Sequence, residues 1–151
     1  MSDLALDDLI AHRPPMRLLD RAIAISAEEA VAELTVRQDN PLVVAGRGMP
    51  AYVGLELMAQ TIALIEGQRC YRDGVPPKIG FLLGCRRYDV SCSEFALGMR
   101  LVVSVKMVFC GGDMYSFEAR ICDAEGQVLA TATLNVYAPK NPEAFLKDGT
   151  V

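Results

Sequence analysis

Histidine is the scarcest chemistry-bearing residue in this chain: there is one, His12, among 151 residues. The five cysteines, Cys70, Cys85, Cys92, Cys110 and Cys122, stand too far apart for the close ligand pairs of a zinc site. With one imidazole to help them, a structural or catalytic zinc centre is not expected. An odd number of cysteines and an acidic, short N-terminus (MSDLALDDLIAH) argue for reduced thiols in a cytoplasm rather than for a secreted protein. A net charge of −4 supplies no global field for nucleic acid. Gly46-Arg47-Gly48 is followed by no G-K-S/T, so it is a turn and not a phosphate loop. Internal repeats and low-complexity linkers are absent. The longest apolar run, Pro50 to Ile65, carries Glu56 near its middle and falls short of the about 20 residues a bilayer span needs.

What the chain does have is enough apolar residue, 52%, to bury a whole helix. Its length suits one domain, residues 1–151, with a real core. Met49 to Glu66, MPAYVGLELMAQTIALIE, is apolar almost all the way round, the pattern of a buried helix. A carboxylate inside such a helix is costly unless it is paired, protonated or used. Gln60 follows Glu56 by one helical turn, so the two share a stripe and are expected to hydrogen-bond in the core.

Around this helix the pattern predicts strands. Residues 3–10 read as a short helix stopped by Pro14-Pro15. Strands are expected at 17–25 and 29–37, the second with Ala30, Ala32, Leu34 and Val36 on one face. Pro50 suits the first position of the long helix, and Gly74 with Pro76-Pro77 ends it. Four more strands follow, at 79–92, 99–110, 114–123 and 127–137. Leu101, Val103, Val105, Met107 and Phe109 are expected to share a face, as are Tyr115, Phe117, Ala119 and Ile121. Gly111-Gly112 signals the hairpin between those two strands. The tail from Pro139 is polar and expected to be loose. The whole is an α+β domain, an antiparallel sheet of about six strands wrapped around one long central helix. One sheet face cannot cover a helix on all sides, so a second subunit is expected.

Three motifs in register carry a family resemblance. PAYVGLELMAQ resembles the helix of the β-hydroxyacyl-acyl-carrier-protein dehydratases, the hot-dog enzymes of fatty-acid synthesis. HRPPMRLLDR resembles their leader, and IGFLLGCRRYDV with GMRL resembles a strand and turn that follow the helix. The match runs over about residues 8–137. PAYVGLELMAQ and Asn135-Val136-Tyr137 are most similar to a dehydratase-like branch associated with bacterial aryl polyene synthesis. The resemblance implies a hot-dog dimer that removes water from a β-hydroxyacyl chain on acyl carrier protein to give the trans-2-enoyl thioester, without a cofactor. Glu56 matches the family's helix carboxylate. Ala51 stands where the family has a glycine whose backbone N–H binds the thioester oxygen. The family's catalytic histidine belongs to a G-H-F-P loop before the helix, and NPLVVAGRGM occupies that region here without one.

The candidate site follows from these matches. Elimination of water needs a base for the C2 proton and an acid for the 3-hydroxyl. Glu56 is the expected acid or water-orienting group. His12, from the opposite subunit, is the simplest base if the chain works alone. Ala51 and Tyr52 at the helix N-terminus are expected to present backbone N–H groups to the substrate, with Gln60 nearby. Arg86 and Arg87, with Arg13 and Lys78, are candidates for a basic patch that meets an acidic carrier protein. Two other readings stay open. The missing loop histidine fits a non-catalytic subunit paired with a paralogous hot-dog chain. A helix carboxylate beside an amide fits a hot-dog thioesterase. Neither nucleic acid nor membrane is an expected partner.

Overall fold

The computed structural model describes residues 5–76 and 81–138. A short helix α1 (Leu6–Leu9) opens the chain. Strands β1 (Arg21–Ile25) and β2 (Glu29–Thr35) form a hairpin. A three-residue strand β3 (Gly48–Pro50) leads through a 3₁₀ turn (Ala51–Val53) into the long helix α2 (Gly54–Arg72). Then come β4 (Phe81–Val90), the short β5 (Glu94–Ala96), β6 (Arg100–Gly111), β7 (Met114–Cys122) and β8 (Val128–Tyr137). Six strands make one antiparallel sheet in the order β1-β2-β6-β7-β8-β4, and β3 pairs with β5 alone. The expected α+β architecture, six strands on one central helix, is the hot-dog fold.

The alternation in β2 works as expected: Ala30, Ala32, Leu34 and Val36 are all buried. They meet Leu101, Val103 and Val105 of β6, Ile121 of β7 and Leu134 of β8 in one core under Leu57, Met58 and Leu64 of α2. Burying a side chain of this size is worth about 1.5–3 kcal/mol. Between Leu55 and Gly67 no residue of α2 is fully exposed. Leu55, Glu56, Ala59, Ala63 and Glu66 stay half-buried, and they form the one stripe of the helix that the chain's own sheet leaves open.

Several expectations needed correction. The first strand begins at Arg21, not at residue 17, because Leu18 and Leu19 are buried against the helix instead of joining the sheet. Pro50 ends β3 with extended backbone, so the first helical position falls later, at Ala51. The strands β3 and β5 escaped notice because each is three residues long, too short to show a period. Phe109 does not share the face of Leu101, Val103 and Val105: a bulge between Met107 and Phe109 turns it out, 56% exposed. The hairpin at Gly111-Gly112 is present. Residues 3, 4, 79 and 80, Lys78 and the tail from Pro139 lie outside the described residues.

One ion network crosses three strands of the sheet. Glu33 on β2 accepts hydrogen bonds from Arg21 Nε of β1 (2.8 Å) and Arg100 Nε of β6 (2.7 Å), and the second nitrogen of Arg100 also reaches it. The Arg100 and Arg21 guanidiniums hold the Glu33 carboxyl below the usual glutamate range. The resulting stabilisation is complete above about pH 4.3 and fades as acid carries the pH through the lowered native value. Thermal melts between pH 2 and 7 are therefore expected to separate the native chain from Glu33→Gln at neutral pH and to converge at the acid end. Parallel curves at every pH would mean the network contributes nothing.

Candidate active site

The leader before β1 runs along α2 in the opposite direction. At its start the Leu9 backbone lies against Gly67, where any Cβ would overlap the Leu9 carbonyl. Leu9 and Ile10 are buried here. Arg13 ties the leader to itself: its guanidinium donates to Ile10 O (2.6 Å), His12 O (3.0 Å) and Asp7 O (2.9 Å). Arg17 adds an ion pair to Asp7 at 2.5 Å.

At the other end of the leader stands Gln60, with no exposed surface. Its Nε2 donates to Met16 O (2.8 Å) and to Glu56 Oε1 (3.0 Å), and its Oε1 accepts the Leu18 N–H (2.9 Å). The expected Gln60–Glu56 hydrogen bond is present. With both amide hydrogens used and no surface open, Gln60 does not face a substrate.

Between these two anchors sits His12. Its Nε2 lies 3.4 Å from Glu56 Oε1 of the same chain. The pairing expected across two subunits is thus made within one. His12 Nδ1 is buried and has no hydrogen-bond partner among the described residues. A buried N–H without an acceptor costs about 1–3 kcal/mol. In a neutral ring this favours the hydrogen on Nε2, the nitrogen that faces the Glu56 carboxylate. Glu56 Oε1 thus accepts from Gln60 Nε2 and faces His12 Nε2, while no hydrogen bond reaches Oε2 among the described residues. Glu56 lies in the first turn of α2, where the helix dipole favours a negative charge. The side chains of Glu56 and His12 keep 41% and 37% of their surface in the single chain, on the stripe of the helix that a second subunit is expected to cover.

The helix entrance differs from the expectation at one position. Ala51 N–H donates to Ser93 O (3.0 Å), so it is spent inside the protein and does not present itself to a ligand. Tyr52, the next residue, is 73% exposed. Of the expected pair of backbone donors, the Tyr52 N–H is the one left for a substrate.

Arg86 and Arg87 are exposed on β4. Arg87 lines a groove on the outer face of the sheet, away from α2, where Lys106 and Arg120 alternate with Glu29, Asp89 and Glu118. The signs are mixed, so this groove is not a basic patch. Arg13 is committed to the leader. Among the described residues no three His, Cys, Asp or Glu gather as a metal would require, and no helix is long and apolar enough to cross a membrane.

Sequence reasoning passed over Gly67, Ser93 and Tyr88. A glycine in a helix and a serine in a loop carry no chemistry on their own. Tyr88 lay inside a quoted motif, but a bulge decides which way it points.

A six-stranded hot-dog with a helix carboxylate beside an imidazole defines a class, the hot-dog dehydratases. A family model described as ApeP-like, ApeP dehydratase, matches residues 4–147, and the chain belongs to that family. It is similar to the 3-hydroxyacyl-[acyl-carrier-protein] dehydratase FabZ of Streptococcus gordonii, 27% identical over 134 residues that cover 86% of this chain and 92% of the relative. The FabZ of Anaeromyxobacter dehalogenans is 29% identical over 139 residues, covering 85% of each. Among solved structures, the dehydratase heterocomplex ApeI:P from Xenorhabdus doucetiae superposes with a TM-score of 0.86 at 28% identity, covering 96% of this chain and 97% of that one. A hypothetical thioesterase with coenzyme A from Streptococcus pneumoniae shares the fold alone, at 16% identity and a TM-score of 0.61, with 79% and 84% of the two chains covered.

Replacing Gln60 by Ala is expected to strand the Leu18 N–H at a buried position and to release the Met16 carbonyl. The loss should be about 1–3 kcal/mol, read as a lower midpoint in urea, with a fall in catalytic activity as the leader loosens around His12. An unchanged midpoint would show that Gln60 does not hold the leader.

Proposed function

We propose that this chain dehydrates β-hydroxyacyl thioesters carried on acyl carrier protein to trans-2-enoyl thioesters, with Glu56 moving the proton and His12 holding the carboxylate. The observation that carries this is the intrachain contact between His12 Nε2 and Glu56 Oε1 at 3.4 Å, together with the closed-off Nδ1. A histidine base with Glu56 as acid would need a hydrogen on Nδ1, in a place with no acceptor. The base role therefore passes to the carboxylate, which keeps the acid role as well.

The balance is simple. Glu56 Oε2 takes the C2 proton, and the electron pair moves into the thioester as an enolate. The Tyr52 N–H meets the enolate oxygen. The enolate then expels the C3 hydroxyl, which collects the same proton from Oε2 and leaves as water. The carboxylate is restored, and His12 has donated from Nε2 throughout without changing its own proton count.

Glu56→Gln is expected to lower kcat by about 10²–10⁴-fold. His12→Ala should cost about 10- to 100-fold, the worth of a hydrogen bond to a charged group. His12→Gln, which keeps an N–H but is a poor base, should recover part of that loss. A Gln variant no better than Ala would return the base role to the imidazole, and full activity in both would remove His12 from the site.

The family likeness and the half-buried stripe along α2 support a second hot-dog subunit, and we assign it to a paralogous chain, because the ApeI:P structure is a heterocomplex. A homodimer is the alternative, and native mass spectrometry separates the two. We place the pathway in aryl polyene synthesis on the strength of PAYVGLELMAQ and Asn135-Val136-Tyr137, and the work in the cytoplasm on the odd number of cysteines, five. Enoyl absorbance by the purified chain alone, with no thiol release, supports the dehydratase. Activity only after the paralogue is added supports the partner-subunit reading.

For the carrier, Arg86 and Arg87 remain our candidates. Charge reversal at both is expected to weaken carrier-protein binding severalfold at low salt and less at high salt. Unchanged affinity at low salt would move the contact elsewhere.

A further inference from the structure

Tyr88 lies on β4 and reaches across to the entrance of α2. Its hydroxyl donates to Ala51 O at 2.5 Å. Two features of the chain serve that contact. Gly54 has no Cβ, and one built there would overlap the Tyr88 hydroxyl and crowd its ring. A bulge between Arg86 and Asp89 adds a residue to β4, with Arg87 at a φ of 55°. Arginine rarely adopts this left-handed backbone, which costs about 1–3 kcal/mol. The bulge puts both Arg86 and Arg87 on the exposed side and lets Cys85 and Tyr88 pack against the core.

The group that Tyr88 grips is one end of a rigid plane. Ala51 C=O and Tyr52 N–H belong to the same trans peptide, so fixing the carbonyl fixes the direction of the N–H on its opposite side. Gly54 N–H donates to the same carbonyl from within the turn. A carbonyl that accepts two hydrogen bonds also makes its own N–H a better donor. Ser93 O holds the preceding Ala51 N–H, so both sides of Ala51 are tied to the loop and strand beside it. Burial keeps Tyr88 in its protonated, donating form, with its pKa pushed up to about 12.

We infer that Tyr88 is a positioning residue for catalysis: by holding Ala51 O it aims the Tyr52 N–H at the thioester oxygen. This rests on the dehydratase reading above. Tyr88 touches neither substrate nor reacting atoms. Its effect is expected in the transition state, where the oxygen gains negative charge, more than in the ground state.

The test uses whichever assembly turns over in the wild type. Tyr88→Phe is expected to lower kcat by at least about tenfold, short of the about 10²–10³ for deleting an oxyanion donor outright, with KM within about twofold. Gly54→Ala is the second variant. It pushes the hydroxyl away while leaving Tyr88 in place, and should show the same loss of kcat. The double variant Tyr88→Phe with Gly54→Ala should lose no more kcat than Tyr88→Phe and should melt higher than Gly54→Ala alone, because the colliding oxygen is gone. A Tyr88→Phe enzyme with full kcat, or one that loses stability while kcat holds, overturns the inference even when Glu56→Gln is inactive. An active Glu56→Gln instead brings down the underlying reading and leaves the Tyr88 result to stand or fall by itself.

Discussion

One buried amide joins the parts of this site. Gln60 spends one hydrogen on the leader and one on the carboxylate, and its oxygen on the next turn of the leader. Remove it and two backbone groups of the leader lose their partners at the place where His12 must stand. The arrangement explains how Gln60, with no exposed surface, is tolerated on a mostly apolar helix face. A fully satisfied buried network specifies one geometry, whereas a partly satisfied one costs more than an apolar core. Gly67 completes the constraint from the far end, since only a residue without a Cβ lets the Leu9 backbone come that close. The leader is thus fixed at both ends, and the single imidazole is held between the fixings.

The proposed mechanism divides the labour differently from what the resemblance suggests. A histidine from the partner chain would have been the base. Here the imidazole comes from the same chain, with one nitrogen sealed and the other turned to the carboxylate. A sealed nitrogen with no acceptor cannot easily hold a proton, so the imidazole serves better as a fixed donor than as a proton carrier. The entrance of α2 follows the same logic. Ser93 takes the N–H that resemblance assigned to the substrate, and Tyr88 turns the neighbouring peptide. Both come from the β4–β5 region, so the helix entrance is built by the sheet and its short ribbon as much as by the helix itself.

Most of the architecture was readable before any coordinates. The alternation in β2, β6 and β7 and the largely apolar run of α2 report burial directly, because a side chain that faces the core is apolar unless its polar atoms find partners there. The stripe of Glu56 and Gln60 was readable for the same reason, since helical geometry places those two together. Places where the reading failed share a cause. Phe109 follows a bulge and Tyr88 lies inside one, and one extra residue in a strand reverses every later side chain without changing the composition. The short ribbon of β3 and β5 carries no period to detect. The commitment of Ala51 N–H to Ser93 O is a backbone contact, and backbone contacts leave almost no trace in residue type.

By itself, then, the amino-acid sequence determined the fold class, the family and the shared stripe of Glu56 and Gln60, because these depend on periodic burial and on motifs whose spacing is local. Only the tertiary structure decided that His12 meets Glu56 within one chain, that Ser93 O takes the Ala51 N–H, and that Tyr88 grips Ala51 O. Those answers depend on contacts between segments far apart in the chain, such as Tyr88 with Ala51 or Leu18 with Gln60. Packing chooses such contacts by shape and by the need to satisfy every buried polar group. No local pattern of residues encodes that choice.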